Sequence, residues 1–176
     1  SIQRVVSYAK SQGMTRFGGV VARNVYGQRA SSDLTRAVIA AGGTVVSIRE
    51  ADGSAASIDA AARALAAAGN IDAVLIGDTS TSATAIVPAL RKQGLKNTRI
   101  LGTDQWNLDG KLSSNAAMRG AWFASVPDNN YLKYADRYRA RFNKAPVRLS
   151  SLGYDAVLLV IRVSQDWKLG APFPTN

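Results

Sequence analysis

The chain has 176 residues, 47% of them hydrophobic, and a formal net charge of +10 from 22 Lys plus Arg against 12 Asp plus Glu. That length suits one domain with a single substantial core, and that composition excludes disorder. With neither Cys nor His in the chain, thiolate nucleophiles, Cys/His zinc sites, imidazole bases and Ser-His-Asp triads are excluded within it.

Apolar β-branched runs alternate with amphipathic helical ones along the chain. Ser1-Ile2-Gln3-Arg4 opens inside a helical pattern, and Arg16 to Arg23 reads as a short strand. Tyr26-Gly27 leads into a helix to about Ala41, with Ala30, Leu34, Ala37, Val38 and Ala41 on one face. Gly42-Gly43 stops it, and Thr44 to Ile48 is the second strand. Ser57 is the expected cap of an Ala-rich helix from Ile58 to Ala68, closed by Gly69-Asn70. Ala73 to Ile76 is the third strand. Ser82 to Gln93 is a helix with a kink expected at Pro88. Arg99 to Gly102 and Ala121 to Ser125 are the fourth and fifth strands. Asp128 is expected to cap a long helix through Phe142, with Pro146 marking its end, and Ser150 or Ser151 a last apolar helix to about Trp167. The final Gly170-Ala171-Pro172-Phe173-Pro174 reads as a turn, and both ends read as cut, which would place any targeting segment upstream.

Single crossover helices between strands require parallel pairing, with helices on both faces of the sheet. Near-continuous apolar strands such as Ala73-Val74-Leu75-Ile76 fit burial on both sides. The expectation is a three-layer α/β fold with a doubly wound parallel sheet, strand order 2-1-3-4-5, as one lobe over 1–176.

Ligands of such sheets bind beyond the carboxyl ends of the strands, near the reversal of strand order. Four strand ends offer candidates: Asn24-Val25-Tyr26, Glu50 with Asp52, Asp78 to Thr81, and Thr103-Asp104-Gln105-Trp106. Helix capping accounts for part of these polar residues, but a simple loop needs neither Asp104 nor Trp106.

Other motifs carry less. Gly18-Gly19 lies inside a strand and does not complete G-x-G-x-x-G. Ser7-Tyr8-Ala9-Lys10 matches S-x-x-K without its usual partner motifs, and no spacing sets Asp78 and Asp104 as a glycosidase pair. No catalytic residue, metal site or cofactor is assigned. Tyr131, Tyr134, Tyr138 and Phe142 recur at helical spacing and read as a packing stripe. Lys133, Arg137, Arg139, Arg141, Lys144 and Arg148 spread round most of a helix and form no stripe, which leaves a solubilising surface, an acidic or polyanionic envelope partner and, less favoured, nucleic acid as the readings of the charge.

Phe17 to Val21 with Tyr26-Gly27, Ala41 to Val46, Asp72 to Ile76, Leu101 to Asp104 and Gly153 to Ala156 together resemble the Leu/Ile/Val-binding branch of the type I periplasmic binding proteins. Leu101 to Trp106, Gly120 to Ala124, Tyr138 to Phe142 and Leu149 to Ala156 most resemble the penicillin-binding-protein activator lipoproteins of Gram-negative bacteria. The resemblance implies one lobe of a two-lobed, non-enzymatic periplasmic protein, with 150–176 directed toward the other lobe. It implies a peptidoglycan synthase partner, stimulated by contact. The alternatives are an ABC transporter receptor for amino acids or related small molecules and the effector-sensing domain of a transcriptional repressor. Membrane attachment would come only through an N-terminal lipid anchor outside this sequence. Carried over, Tyr26 matches a pocket-lining aromatic, Thr79 and Ser80 lie near a second pocket position, and Asp104 matches the acid that pairs with a ligand ammonium. Trp106 adds bulk where amino-acid binders are often small.

Overall fold

The computed structural model describes residues 1–108, 112–125, 128–164, 167 and 170. In chain order the elements are α1 (Ile2–Ser11), β1 (Arg16–Ala22), α2 (Val25–Ala40), β2 (Thr44–Ala51), α3 (Ala55–Ala67), β3 (Ala73–Gly77), α4 (Ser80–Lys92), β4 (Arg99–Gly102), β5 (Trp122–Phe123), α5 (Asn129–Phe142) and α6 (Ser150–Ser164). Three short 3-10 turns, Asp104–Leu108, Leu112–Ser114 and Ala116–Met118, fill the connection between β4 and β5. The expected turn at 171–174 and the end of the last helix at 165–166 lie outside the described residues. The chain groups into two units, Ser1–Ser125 and Val126–Asn176.

In the first unit the five strands form one sheet in the order β2-β1-β3-β4-β5, every described pair parallel. This is the expected doubly wound order. Each sheet face carries its own core. Val20, Val74, Ile76 and Ile100 point to α3 and α4, where they meet Ile58, Leu65, Ile86 and Leu90. Phe17, Val21, Leu75 and Leu101 point the other way, onto Val5, Val6, Leu34 and Val38 of α1 and α2. Alternation along a strand whose two faces are both covered explains the unbroken apolar runs. Gly18 and Gly19 serve this packing. A Cβ on Gly18 would stand 3.0 Å from Leu65, and one on Gly19 would stand 3.0 Å from Leu34.

The helix starts differ from expectation by a few residues, because the caps that form are the ones able to reach an amide. Ser54, not Ser57, caps α3: its Oγ accepts from Ser57 N at 3.2 Å, while the Ser57 hydroxyl accepts from Asp52 N. Thr79, not Ser82, caps α4, and the helix runs past Pro88 to Lys92. The fifth strand is shortened to Trp122–Phe123, and the second is extended to Ala51.

In the second unit Asp128 stands at the N-cap of α5 but makes no side-chain cap bond; its carboxylate accepts from Arg148 instead. The helix ends at Asn143, whose φ of 49° is left-handed, so Pro146 lies beyond it. The aromatic stripe on α5 does pack: Tyr134 meets Tyr138 at 5.8 Å and Tyr154 of α6 at 5.0 Å between ring centres. Basic residues of α5 are partly spent within the unit, with Arg139 on Asp136 and Arg137 on the Tyr154 hydroxyl. The rest of α6 is bare. Leu152, Val157, Leu159, Val160 and Ile161 are each more than half exposed.

At the amino ends of the strands, Asp72 holds β1 and β3 together. Its carboxylate accepts from Thr15 N at 2.8 Å and Arg16 N at 2.9 Å. The Thr15 amide, ahead of the other contacts, holds this carboxyl below its ordinary value of 3.8. A depressed carboxyl contributes stability above its unfolded value and loses it as pH falls through the folded one. Asp72→Asn is therefore expected to lower stability by about 1 kcal/mol at neutral pH, the site being partly solvated. In urea titrations the gap from wild type should close as pH falls below 3.8.

Candidate functional site

Strand order reverses between β1 and β3, and in doubly wound sheets the helices leaving such strands lie on opposite faces, so that a ligand crevice is expected at the carboxyl ends. Residues from three strand ends meet there.

Tyr26 comes from the start of α2, where Asn24 caps the helix by accepting from Gly27 N at 2.9 Å. Gly27 is required by close approach: a Cβ there would stand 1.8 Å from the Ala22 carbonyl oxygen. This seats the first turn of α2 on the end of β1. The half-buried Tyr26 phenol donates to Thr103 Oγ1 at 2.8 Å, which joins the end of β1 to that of β4. Burial raises the Tyr26 phenol above its ordinary 10.0 against the opposing pull of Thr103, and the negative charges of Asp104, Asp78 and Asp33 push the same way as burial.

Asp104 is exposed and accepts from Ser1 Oγ at 2.7 Å, which brings the start of α1 to the same place. Asp78 receives its own neighbour's amide, Thr79 N, at 2.6 Å. Thr79 is exposed, and its hydroxyl accepts from Ser82 N and lies 3.1 Å from the Ser82 hydroxyl, so capping occupies it. Ser80, the first residue of α4, is buried. Trp106 is 1% exposed. Its ring is part of the floor beneath the strand ends.

Glu50 and Asp52 have another use. Both face Arg23, at 3.9 and 3.4 Å, and Asp52 also accepts from the Ser54 amide and hydroxyl. The Ser54 hydroxyl, with its amide next, holds Asp52 below its ordinary value. This is a loop-closing network at the end of the edge strand.

Thr103, named only as part of the run after β4, and Ser1, not named as a candidate, also stand here. Thr103 belongs to the polar run after β4, but nothing local marks its hydroxyl as the partner of a phenol 77 positions away. Ser1 carries no signal at all.

Chemically, the crevice offers a phenol, hydroxyls and three carboxylates without a nucleophile–base pair. It suits a polar ligand carrying a positive group. Asp33 is met by Arg36.

Residues 1–171 match the family described as Periplasmic binding protein. No curated protein matches the chain. Among solved structures, an extracellular ligand-binding receptor from Verminephrobacter eiseniae is similar at 20% identity and TM-score 0.73, covering 97% of this chain and 51% of that one. The leucine binding protein from Thermotoga maritima is similar at 19% identity and TM-score 0.70, covering 93% and 49%. An ABC transporter substrate-binding protein from Desulfitobacterium hafniense, solved with Leu, is similar at 19% identity and TM-score 0.65, covering 96% and 49%. The chain thus spans about half the length of the structures it matches.

Tyr26→Phe should lower stability by about 0.5–1.5 kcal/mol through loss of the Thr103 bond. Ultraviolet titration of the folded variant should lack one phenol that ionises above 10.0 in the wild type. A raised phenol stabilises the fold below its unfolded value, so this increment fades as pH climbs past 10.0.

Proposed function

The chain belongs to the periplasmic binding protein family, and from that premise we propose that it forms the cationic-group side of a solute receptor serving an ABC transporter. Membership implies a periplasmic location and a binding role without catalysis. The observation that carries the reading is the meeting, beside the β1/β3 reversal, of Tyr26 after β1 with Thr103 and Asp104 after β4. Asp104 receives the ammonium of an amino acid or related small molecule. Tyr26 and the Thr79–Ser80 turn line the same crevice. The ligands named for the similar structures, Leu among them, support an amino acid as the first compound to try.

A second reading is an activator of a bifunctional peptidoglycan synthase, held at the membrane by an N-terminal lipid. It is supported by the sequence likeness at Leu101 to Trp106 and Leu149 to Ala156. The receptor reading stands first because the similar structures bear transporter and ligand-binding descriptions.

The same reading accounts for α6. A helix that is apolar nearly all round is a buried helix, yet most of α6 is exposed. Its cover is a second α/β lobe, of the kind the similar structures have room for in the half of their length that this chain does not span.

Two outcomes are expected. In a protein carrying both lobes, leucine or another amino acid should raise Tm, and Asp104→Asn should weaken binding about 10- to 100-fold in calorimetry, the range for one charge-assisted bond. Recovery of a peptidoglycan synthase from solubilised envelope, with no amino-acid shift, would replace the receptor by the activator. Residues 1–176 alone should bind the dye ANS and self-associate at concentrations where the two-lobed protein is monomeric. A monomeric, dye-silent 1–176 chain would remove the second lobe as the cover of α6.

A further inference from the structure

Trp106 is the largest fully buried side chain among the described residues, and its enclosed ring presents little surface to a ligand. We infer that Trp106 is a positioning residue: its indole N–H ties the turn between β3 and α4 to the end of β4, and so sets where Asp78, Thr79 and Ser80 stand relative to Asp104. The inference rests on the receptor reading for its use, but its geometry stands independently.

The geometry is that of a strut fixed at both ends. The Trp106 backbone amide donates to Thr103 O at 3.1 Å. Its indole Nε1 donates to Asp78 O at 2.9 Å. Asp78 lies one residue past β3 and one before Thr79, the cap of α4. Its carbonyl therefore stands outside both the strand and the helix, where the regular ladders supply no donor. The indole supplies one. Thr103 in turn accepts from Tyr26, so Trp106 and Thr103 between them connect the ends of β1, β3 and β4.

The ring itself has no room to turn. It lies directly on Gly102, where a Cβ would come within 2.3 Å of the indole. The Phe123 ring sits against it with centres 6.2 Å apart. Gly102 and Trp106 are thus a matched pair: the missing side chain at one position is the seat for the ring at the other. Packing of this kind holds a donor in one direction, which is what positions the turn rather than merely filling the core.

A structural role alone and a positioning role are separated by a side chain of the same shape without the donor. β-(3-Benzothienyl)alanine placed at position 106 keeps the ring volume and replaces N–H by sulfur. Hydrogen exchange in the two-lobed protein without ligand is expected to quicken at least tenfold at the first-turn amides Ser82 and Ala83 of α4. Val74, Leu75 and Ile76 in β3 should exchange as in wild type. Gly102→Ala, which displaces the ring, should give the same local pattern on top of a general loss of stability. Leucine affinity, measured in parallel, should fall about tenfold in the benzothienyl variant. Unchanged exchange at Ser82 and Ala83 in that variant overturns the positioning role, whatever the ligand data show. If exchange quickens but affinity holds in a protein that binds leucine, the turn is not part of the ligand site and the inference fails. If the wild type binds no leucine, the receptor reading has failed for that ligand, and the exchange result alone judges the strut.

Discussion

The structure depends on one constraint of handedness. A parallel sheet whose crossovers are all right-handed can cover both of its faces only if the chain reverses direction across the sheet once. Here the reversal falls between β1 and β3. Both faces of β1 and β3 are then buried, and the strands become unbroken apolar runs. Helices lie so close to β1 that Gly18 and Gly19 are needed beneath them. The helices that leave β1 and β3 diverge at the same place, so the crevice follows from the topology itself.

Polar bonds across the strand ends turn that opening into a shaped site. Tyr26 reaches Thr103, and Trp106 reaches the Asp78 carbonyl. Close approaches at Gly27 and Gly102 seat the first turn of α2 on β1 and the Trp106 ring on β4. At the opposite end of the sheet Asp72 does comparable work with two backbone amides. The charge is also divided. A chain of net charge +10 places three carboxylates about Tyr26. Meanwhile Arg137, Arg139 and Arg148 find partners within the second unit.

The second unit obeys a different balance. Its aromatic stripe packs α5 against one side of α6, through Tyr134 and Tyr154. The other sides of α6 carry Leu, Val and Ile to solvent. Large exposed apolar surfaces commonly mark sites of contact. On the receptor reading proposed above, a second lobe supplies those contacts.

Periodicity and the alternation of runs were enough to read the five strands and their parallel pairing, because burial on both faces leaves an apolar signature; the order was favoured but not fixed by them, and the structure supplies it. Apart from the 3-10 turns after β4, misreadings were confined to element ends. The choice between Ser54 and Ser57, or between Thr79 and Ser82, turns on which hydroxyl can reach a particular amide, and composition is blind to that. At the strand ends, Tyr26, Thr79, Ser80, Asp104 and Trp106 were legible as candidates because polar residues follow apolar strands there. Their separate parts in the crevice were not legible. Tyr26 pairs with a hydroxyl 77 residues away, and Asp104 pairs with Ser1 across 103. The sequence by itself determined the layers and the parallel pairing, since these follow from local pattern and chain handedness, while the place of the reversal came from the structure. Only the tertiary structure decided that Trp106 is enclosed over Gly102 and that most of α6 stands uncovered, because burial is a property of what lies opposite, and local pattern does not carry it.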